Sequence, residues 1–313
     1  MSIKHNEQNY PYIDLGNDFK IYVQADEYTD PQLKAKAEQE LNETPENVER
    51  SLAQLRELLK AEKGLYVPTE SDSFLVKYLR PCCYDPQKAF QMIQATYRLK
   101  DKGEEYYKNT PNPSSVRHVF DSGMVWFMPE KDADGAVICV IEVGKKWDTS
   151  KVSIIELIAA IRMSVECALL DPETQLCGVK VIFDTEGLSM SQIAQNSPKH
   201  ARMILEWIQK ACPFRLRSVH VVNNSKLVNI LFAIFKPFIT KELRDKIHFH
   251  NKDWESLTPR LINPCCLWPK YGGTLAAPEY DGHLLGNFLQ LYDKYFDTLD
   301  AYGYEQNGLQ RSK

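Results

Sequence analysis

The segments 137-VICVIEV-143, 153-SIIELIAAIRMSVECALL-170 and 179-VKVIF-183 decide the fold. The first and the third are short apolar runs rich in β-branched residues, and each predicts a buried strand. The second begins with the capping box Ser153–Glu156, which is typical of a helix N-terminus. A strand, a helix and a second strand in this order predict a parallel pair. The helix turns one apolar side inward, with Ile154, Leu157, Ile158, Ile161, Val165 and Leu169 on it.

The same alternation continues in both directions from this unit. Val125–Met128 predicts an earlier strand, and Val219–Val222 and Ile247–Phe249 predict two later ones. Helical spacing is found from Ser197 to about Ala211 and from Lys226 to Phe235. We therefore predict an α/β protein with a mainly parallel sheet.

Flanking segments extend this α/β unit at both ends. The first 30 residues have no clear period, and the following stretch to Glu43 looks helical. Thr44 reads as a helix N-cap with Pro45 at the first helical position, and more helical patterns follow. Apolar residues at helical spacing from Leu284 to Tyr302 predict one long helix. The predicted units are a leader with one helix at 1–43, an N-terminal helical subdomain at 44–108, the α/β domain at 109–278 and a helical tail at 279–313.

Composition and charge disfavour several classes of protein. The chain of 313 residues is 43% hydrophobic and 26% charged, which is typical of a globular protein. Its net charge of −4 gives no support to nucleic-acid binding. The first residues lack the apolar core of a signal peptide, and no apolar run reaches the roughly 20 residues of a membrane-spanning helix. The eight cysteines include no Cys-x-x-Cys pair, so we expect reduced thiols and a cytoplasmic location.

Catalytic motifs are weak throughout the chain. Gly187–Ser191 lacks the second glycine of a nucleophile elbow. Asp184 and Glu186 follow a predicted strand, but carboxylates at such a turn more often cap a helix or face solvent than perform acid–base chemistry. His248 and His250 would face the same side of a strand, and a metal site there would need further ligands. We therefore predict no catalytic residue, no metal and no cofactor.

The segment 226-KLVNILFAIF-235 is apolar on nearly all sides. Such a helix is typical of a protein core. Cations crowd its flanks, however, in a chain that is acidic overall. An apolar helix with a basic rim also fits a segment that docks on an anionic membrane, so both interpretations stay open. The flanking cations are Arg215, Arg217, Lys236, Lys241, Arg244 and Lys246.

Several blocks of sequence resemble a known family in their order and spacing. They are 72-DSFLVKYLR-80, 212-CPFRLRSVHVVN-223, 235-FKPFIT-240, 246-KIH-248 and 267-LWPKYGG-273. The chain from about Thr44 to Pro278 thereby resembles the CRAL-TRIO lipid-binding family, which includes α-tocopherol transfer protein, cellular retinaldehyde-binding protein and the clavesins. The resemblance implies an N-terminal helical subdomain, an α/β lipid cage and a mobile gate helix, here about Ser225 to Phe238. It also implies non-covalent carriage rather than catalysis.

The resemblance also implies which residues bind phosphoinositide headgroups. By motif position they are Arg80, Arg215, Arg217 and Lys246, and Arg244 is added from its placement. Two departures affect this expectation. Pro81 and Cys82 follow Arg80 where the family often has Ala-Arg, so one basic position is lost. Ser225 stands where a proline is usual at the start of the gate.

Cavity residues are predicted from the inward faces of the strands, the helix after Ser153 and the gate. Ordinary core packing is the competing interpretation for those outside the gate. The predicted lining residues are Trp126, Val140, Ile154, Ile158, Ile161, Val165, Phe183, Leu227, Leu231, Phe232 and Phe235.

The leading hypothesis is a cytosolic carrier of one hydrophobic molecule, such as a retinoid, tocopherol, carotenoid, sterol or phospholipid. Exchange would occur at phosphoinositide-bearing membranes, with peripheral association and a monomeric protein. The alternative is a phosphoinositide-binding trafficking adaptor that holds a structural lipid. A third hypothesis is an enzyme that uses Asp184, Ser189 or a His–Cys pair on lipid esters.

Overall fold

The computed structural model describes residues 1–107, 109–258 and 261–305. Its first element is an antiparallel sheet that the sequence pattern does not predict. Ile13 and Leu15 alternate inward on the middle strand and are almost fully buried, which explains why this polar-looking leader folds against the body. The three strands are β1 (Ser2–His5), β2 (Pro11–Gly16) and β3 (Phe19–Tyr22).

A helical unit follows the small sheet. Asp30, Thr44, Ser71 and Asp85 each precede a helix, and each side chain accepts a hydrogen bond from a backbone N–H of the first turn. This capping satisfies N–H groups that have no partner within the helix. The elements are α1 (Pro31–Leu41), α2 (Pro45–Ala61), β4 (Leu65–Tyr66), α3 (Asp72–Leu79), α4 (Pro86–Lys102) and α5 (Glu104–Tyr107).

The α/β body confirms the predicted fold class. Its five strands lie in sequence order; β5 is antiparallel to β6, and the strands from β6 to β9 are parallel neighbours. The capping box predicted at Ser153 is present, because its side chain and that of Glu156 cap each other's backbone. The elements are α6 (Arg117–Asp121), β5 (Val125–Phe127), β6 (Val137–Glu142), α7 (Ile154–Ala168), α8 (Pro172–Cys177), β7 (Val179–Asp184), α9 (Met190–Ala194), α10 (Pro198–Glu206), β8 (Leu216–Val222), α11 (Lys226–Phe235), α12 (Lys241–Asp245), β9 (Ile247–Asn251) and α13 (Trp254–Leu257).

Short irregular helices join several of these elements. A π-helical turn, Trp207–Ala211, extends α10 toward β8. Turns of 3-10 helix lie at Arg80–Cys82, Pro113–Val116, Lys236–Phe238, Pro264–Cys266 and Pro269–Tyr271.

The C-terminal segment packs back onto the body. The sequence pattern predicts one long helix here, but there are two, α14 (Gly282–Gln290) and α15 (Asp293–Asp300). Tyr292 interrupts them with non-helical backbone angles. A last short strand, β10 (Gly303–Tyr304), pairs with β4 of the helical unit. Residues 306–313 of the predicted tail lie outside the described residues, and none of the described helices is long and apolar enough to cross a membrane.

Candidate functional site

The central sheet has two chemically different faces. Alternate residues of a strand point to opposite sides, so each strand contributes to both. One face is apolar and carries Cys139, Ile141, Val181, Phe183, Val219, Val221, Ile247 and Phe249. The other face carries buried aliphatic residues, such as Val140, together with titratable groups, which are Glu142, Lys180, Asp184, His220, His248 and His250.

The apolar face, with α7, α10 and α11, bounds a cavity of about 270 Å³. Trp207 and Phe214 stack at 6.2 Å between ring centroids and form part of the same wall. The predicted lining residues that the structure brings together here are Ile154, Ile158, Ile161, Val165, Phe183, Leu231, Phe232 and Phe235.

Three of the predicted lining residues lie elsewhere. Val140 is fully buried but alternates with Cys139 and Ile141, so it points to the opposite face of the sheet. Trp126 lies on β5, where its ring packs edge-on against Tyr280. Leu227 packs in an apolar cluster at the start of α11 and outside the cavity lining.

Two polar side chains, Thr185 and Asn196, interrupt the apolar lining. Neither was predicted from sequence, because nothing in the local pattern marks them as inward. The Thr185 hydroxyl donates to the Val222 carbonyl at 2.9 Å, and the Asn196 amide donates to the Gln192 carbonyl at 2.9 Å. Within the described ranges, no Lys, Arg, His, Asp or Glu side chain lines this cavity. The arrangement suits an uncharged ligand, because burying an unpaired charge costs several kcal/mol or more.

Helix α11, predicted as the gate, covers one side of the cavity. Ser225 caps it by accepting a hydrogen bond from the Leu227 N–H. Phe232 packs edge-on against Phe249 of β9, with ring centroids 5.2 Å apart. Val228 is the one fully buried residue of this helix, and Ile230 on its outer side is 48% exposed. A helix this apolar with so little of it buried leaves unpartnered apolar surface.

The five basic residues predicted to bind headgroups are in different states. The Arg80 side chain is only 3% exposed and forms ion pairs with Glu27 at 2.6 Å and Glu43 at 3.0 Å. Its guanidinium also donates to the Gln175 side-chain oxygen at 2.8 Å. Although burial opposes the charged form, these carboxylates raise the pKa of Arg80 above its ordinary value. As it stands in this structure, Arg80 is therefore covered rather than open to a headgroup.

Arg215 and Arg217 share a single carboxylate. Their guanidinium groups lie 2.9 Å and 3.0 Å from the same oxygen of Glu40 in α1. Burial raises the pKa of Glu40, but hydrogen bonds from Lys36, Arg217 and Arg215 outweigh it and lower that pKa to about 2. The carboxylate is therefore ionised at neutral pH and stays paired with both arginines.

Lys246 and Arg244 belong to the more exposed part of the basic group. Lys246 is paired with Glu242 at 2.9 Å, and Arg244 is exposed on α12. The Val219 N–H donates to the Lys246 carbonyl at 2.8 Å. This bond places the start of β9 beside the early part of β8, so Lys246 lies at the same edge of the sheet as Arg215 and Arg217.

The face of the sheet that carries the titratable groups holds a chain of hydrogen-bonded histidines behind the cavity. His220 Nδ1 lies 3.0 Å from His250 Nε2, and their other ring nitrogens each lie 2.7 Å from a hydroxyl, that of Ser218 and that of Ser256. The His248 ring stacks on His220 with centroids 5.4 Å apart. Burial, with the neighbouring His250 and His248, lowers the pKa of His220 to about 3.

The residues weighed for catalysis have structural partners. Ser189 caps α9 in a capping box with Gln192. Asp184 accepts hydrogen bonds from the Asn223 amide and the Glu186 backbone N–H, each at 2.9 Å, and from the Tyr271 hydroxyl at 3.3 Å. In the part of the chain that the structure describes, no group of three or more His, Cys, Asp or Glu side chains could hold a metal ion.

Comparison with known proteins finds a family model and several similar proteins. A family model described as CRAL/TRIO domain matches residues 121–273. Human alpha-tocopherol transfer protein-like is 32% identical over 251 residues, which are 80% of this chain and 71% of that protein. Clavesin-1 of Xenopus laevis is 28% identical over 253 residues, 80% of this chain and 75% of the relative. A solved structure titled "Crystal structure of Sfh5" aligns at 15% identity and a TM-score of 0.42, covering 81% of this chain and 91% of that one. Because a relative of 32% identity is covered over 71% of its own length and the family model matches residues 121–273, the chain belongs to the CRAL/TRIO family of lipid-binding proteins.

Proposed function

We propose that this protein is a cytoplasmic carrier of one uncharged hydrophobic molecule, which it exchanges at phosphoinositide-bearing membranes. The observation that carries the proposal is the cavity between the apolar sheet face, α7, α10 and α11. Membership of a lipid-binding family agrees with it. Retinoids, tocopherols and sterols are the classes of cargo that this cavity suits.

The chemistry of the lining supports an uncharged cargo. A fatty acid or a phospholipid would bring an ionised group toward apolar walls, and among the described lining residues no cation could compensate it. The polar pair Thr185 and Asn196 suits a single neutral group instead, such as a hydroxyl.

The size of the cavity supports a compact cargo. Its volume of about 270 Å³ is near the lower end of the roughly 300–1,000 Å³ range of pockets that enclose small ligands. A lipid with one ring system and one chain suits this space better than a phospholipid with two acyl chains.

Helix α11 supports membrane exchange. It combines exposed apolar residues, such as Ile230, with the exposed cations Lys226, Lys236, Lys241 and Arg244 nearby. Each large apolar side chain that enters the acyl layer contributes about 1.5–3 kcal/mol, and each cation near an anionic leaflet about 1 kcal/mol. Insertion of α11 would also remove one wall of the cavity, so docking and cargo release would be coupled.

The deciding experiment is native mass spectrometry of the purified protein, followed by organic extraction and identification of the released molecule. We expect one uncharged hydrophobic molecule per chain, and transfer of that molecule between vesicles. If the protein neither contains nor takes up a cargo when offered retinoids, tocopherols, carotenoids and sterols, the carrier proposal is wrong. Vesicle binding without transfer would then favour the adaptor hypothesis.

A further inference from the structure

Three arginines at one edge of the molecule are covered by carboxylates from a single segment. Arg80 holds Glu27 and Glu43, while Arg215 and Arg217 hold Glu40. All three glutamates lie in residues 27–43, which surround α1 and precede the residues matched by the family model. We call Glu27, Glu40 and Glu43 the acidic clasp.

The clasp makes the kind of contact that an anionic headgroup makes. Arginine binds carboxylate and phosphate through the same charge-assisted hydrogen bonds, and bidentate geometry strengthens both. Arg80 donates to Glu43 through two different nitrogens, at 3.1 Å and 3.0 Å. A headgroup that approached these arginines would therefore have to displace a carboxylate that already occupies the same donors.

The segment that carries the clasp is held by few apolar contacts. Helix α1 has only 11 residues, and Ala37 and Leu41 are the two that are buried. The Glu27 side chain is 60% exposed, so water already reaches one of the ion pairs. Segments with little buried apolar surface open at low free-energy cost, which makes local release of α1 compatible with an intact body.

We propose that the acidic clasp is an autoinhibitory contact that keeps Arg80, Arg215 and Arg217 from anionic membrane lipid until α1 is displaced. This inference rests on the proposed membrane exchange and adds its regulation. A membrane rich in phosphoinositides would compete with the glutamates for the same guanidinium groups. A membrane of low charge density would leave the clasp closed.

Glu40 offers the sharpest test, because Glu38 provides a matched control. Both lie in α1, and Glu38 is exposed and takes part in none of the four clasp ion pairs. Glu40→Gln and Glu38→Gln change the net charge equally, but only the first frees Arg215 and Arg217. The probe is phosphatidylcholine vesicles that contain phosphatidylinositol 4,5-bisphosphate, with binding measured by co-sedimentation.

We expect Glu40→Gln to bind these vesicles roughly 10-fold more tightly than Glu38→Gln, because Arg215, Arg217 and Lys36 all lose their carboxylate partner. Adding Arg215→Ala and Arg217→Ala to Glu40→Gln should remove most of the gain, and Lys36→Ala in the same background measures the share of the lysine. Thermal unfolding of each variant shows whether the body stays folded, and Glu40→Gln leaves the buried Arg80 pairs intact. Equal binding by the two single variants would overturn the clasp, as would a gain that persists in full without the arginines.

The two measurements, native mass spectrometry and vesicle binding, distinguish an incorrect clasp proposal from an incorrect carrier proposal. Cargo found by native mass spectrometry, together with equal vesicle binding by Glu40→Gln and Glu38→Gln, rejects the clasp alone. Tighter binding by Glu40→Gln in a protein that never takes up cargo supports the clasp and rejects the carrier.

Discussion

Asn196 and Thr185 are the two hydrogen-bonded polar side chains in an otherwise apolar cavity lining, among the described residues. The Asn196 side-chain amide donates to the Gln192 carbonyl of the preceding helix α9, and its own side-chain oxygen is an acceptor suited to a hydroxyl on the cargo. We expect Asn196→Leu to weaken retinol binding about 2- to 10-fold, the equivalent of one neutral hydrogen bond. Binding of retinyl acetate, which has no hydroxyl, should stay the same or improve. Fluorescence titration of both probes gives the ratio, and an unchanged ratio would rule out this role for Asn196.

The histidine chain predicts a specific pH dependence of stability. The folded-state pKa of His220 is about 3, below the ordinary value of 6.5, so the unfolded chain binds more protons than the folded chain between these values. Stability should therefore fall as the pH drops below 6.5, by about 2 kcal/mol at pH 5 for this one group. The charged side chains that face His220 and His250 are Lys180, Asp132 and Asp253.

Urea unfolding at pH 7.5 and pH 5 measures this effect. A carboxylate with a lowered pKa, such as Glu40, loses its contribution only below its ordinary value of 4.5, so it does not interfere in that range. We expect His220→Gln to lose less stability than the wild type between the two pH values. An equal loss in both proteins would show that another group titrates.

Sequence could identify cavity residues on α7 and α11 but not those on α10 or strand β6. Helical spacing places Ile154, Ile158, Ile161 and Val165 together on one side of α7. In VICVIEV both alternating sets are apolar, so the pattern cannot tell which set faces the cavity, and the prediction named Val140. The glutamate that Arg215 and Arg217 share could not be predicted from sequence either, because it lies in the leader, far away along the chain.

At the scale of the element, the exposed side of α11 gives the clearest prediction, which concerns binding to anionic vesicles. We expect Ile230→Asp to weaken binding to anionic vesicles by roughly 10-fold or more, because an apolar side chain that should enter the acyl layer becomes charged. Folding should be unaffected, since Ile230 is 48% exposed. Leu291→Asp is the control, because Leu291 is an equally exposed apolar residue, at 51%, between α14 and α15.

Co-sedimentation with the two variants separates a specific docking face from general surface hydrophobicity. Reduced binding by Ile230→Asp alone supports docking through α11. A similar loss in Leu291→Asp would mean that any exposed apolar residue matters, and α11 would have no special role.

Elements with a regular pattern were predictable, and those stabilised by distant contacts were not. The parallel strands and their helices follow from apolar runs and caps. Strands β1 to β3 are short and polar on their outer sides, and they are stable only because Ile13, Leu15 and Ile21 pack onto the body. The long helix predicted near the C-terminus is broken at Tyr292, although the apolar spacing continues across the break.

At the scale of the whole molecule, the two faces of one sheet have separate tasks. The apolar face bounds the cavity, while the opposite face holds the histidine chain, so the two environments are separated by the thickness of a single strand layer. Lys246 immediately precedes β9, and Phe232 of α11 packs against Phe249 of the same strand. Strand β9 therefore links part of the basic edge to the predicted gate helix.

The cavity also has a mechanical consequence. A space of about 270 Å³, if nothing fills it, corresponds to about 160 mL per mole of protein, more than the roughly 20–100 mL/mol by which unfolding usually reduces the volume. Hydrostatic pressure favours the state of smaller volume, so cargo-free protein should unfold at clearly lower pressure than loaded protein. Tryptophan fluorescence under pressure would measure the difference, and the shift would report how completely each cargo fills the space.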